Sequence, residues 1–465
     1  MSVIYEVEHL YQADGWLSPG FLEVGANGQI ANIGQTAPDG NVQVCRLSGF
    51  CVPGMANLHS HAFQRALVGR TEFVTDYRTD DNLWTWRKAM YELAQRLTPR
   101  HYEAIAAQVY LEMLEFGITN VCEFHYVHHD IDGKRYANPS EMSERLIAAA
   151  EHAGIGMTLL PVLYAHSGVG KPPTDTQRRF THSDVDEYLR LIESIREYRA
   201  TQPALQVGMA LHSLRAVAPG EIRAALEGIT ELDSKARLHI HASETTQEVD
   251  EIKAGLGARP VQWLLDNVAL DERWSIIHAT HLDSDEIRGL AGSKAVAGLC
   301  PLTEATMGDG YFPLVQYHQM GGAWGIGTDS HYSTSIVEEL RILECGQRLE
   351  TRRRNVIAMP RGDSEVHSGR TLFDTSLAGG EQSAGQNSGA LVAGRRADLV
   401  MLDSSTHNLL GHGPNTMLDS WILGGTQNPV RDVMVNGKWV IKDRHHSNGQ
   451  AIRNAFVETI HSLMD

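Results

Sequence analysis

From about Phe50 to Glu350, short runs of aliphatic and β-branched residues alternate with amphipathic stretches of helical period. Such alternation marks repeated βα units and therefore a parallel sheet. Eight units can be read. Their strands are predicted to end at Leu58-His59, Glu123-Phe124, Val162-Leu163, Ala210-Leu211, Ile240-His241, Ile277-His278, Gly298-Leu299 and Ile326-Gly327. Helices are predicted over Pro99 to Phe116, Pro139 to His152, Asp184 to Tyr198 and Pro219 to Ile229. Four more run over Pro260 to Val268, Asp283 to Leu290, Pro313 to Met320 and Ser335 to Leu349. Several open on Pro or Asp, which suit a first helical turn. Eight strands and eight helices predict an α/β fold, a (β/α)8 barrel of the TIM type.

The two ends of the chain have a different rhythm. Phe21 to Val24 and Gly28 to Gly34 alternate in period two between turn glycines, and so do Ala397 to Asp403 and Val430 to Val440. These are short antiparallel strands by pattern. The expected organisation is a barrel over 51–375 and a small β-rich side domain from both ends. Residues 1–50 supply its first part, and 376–465 its second part with a terminal helix. The Gly/Ser-rich stretch 361–390 reads as a connecting loop.

Composition narrows the class. With 42% hydrophobic and 21% charged residues the chain has ample core material. No apolar run approaches the roughly 20 residues a membrane helix needs. Glu6 and Glu8 sit where a signal peptide would be basic, so a cytoplasmic protein is expected. Five scattered cysteines without a CxxC pair indicate reduced thiols, not a disulfide framework. A net charge of −17 disfavours nucleic acid and anionic membranes as partners. An anionic substrate would then need a local basic pocket.

The candidate chemistry lies at strand ends. His59-Ser60-His61 places two imidazoles on one face, where both could reach one divalent metal, zinc or another borderline ion. His241 could add a third ligand, with Glu244 just beyond it to handle protons. His239 lies one layer deeper and reads as a buried barrel histidine. His278 ends the sixth strand, and Asp329 follows the eighth. Each alone is equally a core or surface residue. Together they put four strand ends at the face where barrel enzymes work.

This order of motifs resembles the amidohydrolase superfamily in its mononuclear deaminase branch. Pro53 to His61 and Gly394 to Val400 resemble that family's approach into the barrel and return to the side domain. The resemblance spans essentially the whole chain. It implies that His59, His61, His241 and Asp329 bind one divalent metal, Zn²⁺. It also implies that Glu244, His278 and Asp329 are catalytic. A metal-acidified water would attack carbon, Asp329 would accept a proton, and Glu244 would protonate the departing nitrogen.

Within that branch, four strings resemble deiminases of N-formimino-L-glutamate, enzymes of histidine degradation. They are His59 to Arg65, Trp84 to Arg87, Glu123 to Asp130 and Leu211 to Val217. Thr245-Thr246 departs from the Gln often found after the catalytic Glu in relatives. The implied substrate contacts are Gln64, Arg87, Tyr126, His212 and Arg215, and the implied assembly is a homodimer. The chemistry agrees, since paired guanidinium groups suit a small anionic substrate with two carboxylates. Arg87 could instead stack on a neighbouring tryptophan. His125, His128 and His129 read as loop hydrogen-bonders, while Glu304 and Asp309 either position substrate or cap a turn. Two other functions stay open: a deaminase of an aromatic amino-heterocycle, and a non-catalytic ligand-binding barrel.

Overall fold

Eight apolar runs form the parallel strands of a barrel: Met55–Ser60, Ile118–His125, Gly156–Leu163, Met209–Ser213, Leu238–Ala242, Trp274–His278, Val296–Leu299 and Ala323–Ile326. The structure is a computed structural model that describes residues 2–36, 44–74, 81–200, 202, 204–359 and 365–464. Neighbouring strands pair in sequence order, and a short strand, Leu205–Val207, adds to the edge of the third. The ring closes through a parallel bridge between Ser60 and Asp329. Strands such as Ile118–His125 and Gly156–Leu163 are buried at every position, which is why they read as unbroken apolar runs.

The chain ends meet in a second sheet, of nine strands among the described residues. Leu399–Leu402 pairs antiparallel with Val44–Pro53, joining the C-terminal strands to Val3–Gln12 and its neighbours. The terminal helix Gly449–Met464 packs on the barrel helix Pro99–Glu115. Buried Arg396 binds both Asp398 oxygens and Gln386, tying the return strand to the barrel's underside.

The predicted helices are present, and among the described residues five α-helices add to them: Leu83–Ala94, Thr246–Leu256, Pro301–Met307, Ser368–Ala384 and Met417–Leu423. The first carried a readable signal, because Asn82 and Thr85 form a reciprocal cap.

The expected connecting loop over 361–390 is corrected. Residues 361–364 lie outside the described residues, but Ser368–Ala384 is a helix of 17 residues. It crosses the N-terminal ends of the first and eighth strands. Its small residues are not loop signals but a close-packing surface: a Cβ on Gly379 would overlap the Trp324 carbonyl oxygen, and one on Gly380 would press on that of Ala56.

Candidate active site

Barrel closure sets the first part of the site. The amides of Thr328 and Asp329 donate to the His59 carbonyl at 3.1 and 3.0 Å, and the His61 amide donates to that of Asp329 at 3.0 Å. These bonds hold the Asp329 carboxylate beside both histidines. Its Oδ1 lies 3.6 Å from His59 Nε2 and 3.4 Å from His61 Nε2. His241, ending the fifth strand, brings its Nε2 to 3.0 Å from that of His59.

These atoms fit a divalent metal. A tetrahedral zinc with 2.0–2.1 Å bonds separates its donor atoms by about 3.3 Å, close to the spacings seen. The ring orientations agree too. His61 Nδ1 donates to the Phe124 carbonyl and His241 Nδ1 to the His212 carbonyl, both at 2.9 Å. A carbonyl only accepts, so the proton sits on Nδ1 and each Nε2 turns a lone pair inward. Burial pushes His61 down to about 3, and holds His59 and His241 well below their ordinary range. Neutral imidazole is the form that ligates metal.

A second layer of titratable groups adjoins the first. His278 Nε2 is 3.6 Å from Glu244 Oε1 and 3.8 Å from Asp329 Oδ2. On its other side Nδ1 donates to Glu304 Oε1 at 3.2 Å, an oxygen that also accepts the Cys300 amide at 2.9 Å. Burial lowers His278, but Glu244, Glu304 and Asp329 outweigh it and push the imidazole up to about 10. Ser243, His278, Ala279 and Asp329 all have φ between 44° and 69°. Such left-handed backbone costs a non-glycine residue about 1–3 kcal/mol and is found where side chains must be aimed.

A half-open cavity of about 60 Å³ lies above these groups. Its walls bring together Gln64, Arg87, Tyr126, His212 and Arg215 with Glu244, His278 and Asp329. Gln64 donates to the Tyr126 hydroxyl at 2.8 Å. Arg87, on the helix Leu83–Ala94, donates to the hydroxyls of Tyr91 and Tyr164, and Gln177 donates to the latter at 2.8 Å. The tryptophan stacking foreseen as an alternative also occurs. Arg87 Cζ lies 5.0 Å from the Trp84 ring centroid, and Arg215 Cζ lies 5.1 Å from the same ring. One indole thus seats two guanidinium groups that would otherwise repel each other. Burial, then Arg215 and Arg87, hold His212 well below its usual range. Two guanidinium groups therefore face one cavity inside a chain of net charge −17.

Other residues fall where pattern alone left them open or unseen. His239 faces the Ser383 carbonyl, 3.5 Å away on the helix beneath the barrel. His125 pairs with the Tyr102 hydroxyl, while His128 and His129 donate to the carbonyls of Val162 and Thr181. Glu304 does more than cap its turn, because it holds His278. Burial and nearby Glu244 push the Asp309 carboxyl up to about 9. Leu83, Trp86, Met90, Thr303, Met307 and Ser330 also line the cavity. Their only advance signal was their place just beyond strand ends or on the Trp84 helix.

The chain belongs to the amidohydrolase family, whose family model matches residues 50–440. It is 46% identical over 468 residues to formimidoylglutamate deiminase of Pseudomonas aeruginosa, with 100% of each chain covered. A 5-methylthioadenosine/S-adenosylhomocysteine deaminase of Natronomonas pharaonis is 27% identical over 427 residues, covering 90% of this chain and 87% of that one. Among solved structures, an amidohydrolase from Brucella melitensis superposes with a TM-score of 0.91 at 40% identity, covering 100% of both chains.

Proposed function

We propose that this chain hydrolyses N-formimino-L-glutamate to N-formyl-L-glutamate and ammonia, with one divalent metal, Zn²⁺, held by His59, His61, His241 and Asp329. The observation that carries the reading is the meeting of Arg87 and Arg215 over the same cavity as that donor cluster. The full-length likeness to a formimidoylglutamate deiminase supports it. Five free cysteines support a cytoplasmic setting.

The substrate has a cationic amidine at one end and two carboxylates at the other. Arg87 and Arg215 pair with the carboxylates, and Gln64, Tyr126 and His212 supply hydrogen bonds around them. The amidine then lies toward Glu244, whose carboxylate offsets its charge. A bound metal supplies Lewis acidity and makes water a stronger acid at neutral pH. Asp329 accepts a proton from the attacking water as its oxygen bonds to the formimino carbon. His278, oriented by Glu304, donates a hydrogen bond toward the oxygen of the developing tetrahedral centre. Glu244 takes the proton that the hydroxyl of the tetrahedral centre gives up and carries it to the terminal nitrogen. The C–N bond to that nitrogen breaks as C=O forms, and ammonia leaves, taking up the proton held by Asp329. The carbon keeps the bond to the glutamate nitrogen and ends as a formyl group.

The test is a comparison of kcat/KM for N-formimino-L-glutamate and a panel of amino-heterocycles, including adenosine-type, triazine and pterin rings. A preference for the formimino compound of about 10³-fold or more is expected, since a site built for charged groups rejects ligands that lack them. Preference for a ring substrate would overturn the proposal.

A further inference from the structure

We propose that Glu248 is a positioning residue that couples the substrate's carboxylate clamp to the proton-handling loop, its two oxygens serving Arg215 and Glu244 separately. The inference rests on the roles given above to Arg215 and Glu244.

Glu248 lies in the first turn of the helix Thr246–Leu256 and is 1% exposed. Its Oε2 accepts the Glu244 amide at 2.9 Å, and its own amide donates to Thr245 Oγ1 at 3.2 Å. The Glu244 amide follows Ser243, whose φ is 56°. A serine reaches that left-handed conformation only against a local penalty. The carboxylate therefore pins the peptide that aims Glu244 into the cavity.

Its other oxygen has a different task. Oε1 has no hydrogen-bond partner and faces Arg215 Nε at 3.8 Å, and that Nε is itself buried and without one. A buried carboxylate and a buried guanidinium left unpaired are each costly, so a charge pair at this distance holds both in place. The arrangement spends only the Nε side of the guanidinium. Among the described residues no hydrogen bond engages its terminal nitrogens, and these remain for a bidentate carboxylate. Trp84 lies against the same guanidinium and restricts it further. One side chain thus sets the distance between the anion-binding and proton-handling ends of the substrate.

The two tasks separate by mutation. In Glu248→Gln the amide oxygen can still accept from Glu244, but the charge facing Arg215 is gone. In Glu248→Ala both are lost. The measurements are KM and kcat for N-formimino-L-glutamate, with the Kd of N-formyl-L-glutamate from calorimetry on the metal-loaded enzyme. Glu248→Gln is expected to raise KM and Kd by roughly five- to twentyfold while kcat stays within about threefold. Glu248→Ala is expected to lower kcat as well. In an Arg215→Gln background, adding Glu248→Gln should change Kd by less than about twofold, because the shared partner is absent. Should Glu248→Ala not fold, the Gln variant and the cycle decide alone. Unchanged KM and Kd in Glu248→Gln, or effects that multiply with those of Arg215→Gln, overturn the proposal. A wild-type enzyme that neither binds the product nor turns over the substrate would overturn the underlying reading, and this inference with it.

Discussion

His278 donates its Nδ1 hydrogen to Glu304 Oε1 at 3.2 Å, so the imidazole presents Nε2 to the space between Glu244 and Asp329. The carboxylate fixes the ring plane and, with Glu244 and Asp329, favours the doubly protonated ring, whose Nε2 keeps a hydrogen to donate. Glu304→Gln is expected to lower kcat by about 10–100-fold with KM within about twofold, since no substrate contact is removed. Steady-state kinetics check this, and a pure KM effect would move Glu304 to the substrate-binding wall.

Asp329→Asn removes the anionic donor and the proton acceptor while leaving the backbone bonds to His59 and His61 in place. Turnover is expected to fall by about 10³-fold or more. Metal content after dialysis, measured alongside, is expected to fall too. A variant that kept both metal and activity would assign Asp329 a structural part only.

Arg215→Ala should raise KM by roughly tenfold or more with kcat little changed, the sign of lost uniform binding. Trp84→Leu removes the ring against which Arg87 and Arg215 both rest. Its KM is expected to rise by about three- to tenfold, a smaller loss than removing a guanidinium itself. Unchanged KM in both variants would leave the carboxylates to other residues.

The gathering of His59, His61, His241, His278 and Asp329 was legible because they stand at or just beyond the C-terminal ends of predicted strands, while the roles expected of them came from the family resemblance and not from the pattern. Glu248 and Glu304 were not marked in this way. Their partners are set by how short helices turn after the fifth and seventh strands, and no local periodicity encodes that. The helix Ser368–Ala384 was hidden for another reason. Gly369, Gly379 and Gly380 lower helix propensity and read as loop, yet tertiary packing against Asp419, Trp324 and Ala56 requires them.

That packing is testable. In Gly379→Ala the new methyl would meet the Trp324 carbonyl with no flexible side chain to give way. A loss of about 1–3 kcal/mol or more in unfolding free energy is expected despite the better helix propensity. Denaturant titration measures it, and a stabilised variant would show that the helix shifts freely on the barrel floor.

Acid stability follows from the second histidine cluster. Burial pushes His125 and His182 down to about 3 and His129 to about 4, and it lowers His128 well below 6.5. The folded state therefore binds fewer protons than the unfolded chain. The stability this represents is full above pH 6.5 and is lost as pH falls from there toward the folded values. Each histidine costs about 1.4 kcal/mol per pH unit over that window. The double variant His128→Asn/His182→Asn should lose about 3 kcal/mol less than wild type between pH 7.5 and 5.5. Identical losses in the two proteins, read by denaturant midpoint, would mean that these rings are not neutral in the fold.

The central claim is which bond breaks, and product analysis reads it directly. Zinc-loaded enzyme is mixed with N-formimino-L-glutamate, and ammonia, N-formyl-L-glutamate, glutamate and formamide are quantified over time. Ammonia and N-formyl-L-glutamate in equal amounts, without free glutamate, are the expected result. Glutamate with formamide would contradict the assignment of Glu244 to the terminal nitrogen, and no turnover by metal-containing enzyme would contradict the substrate itself.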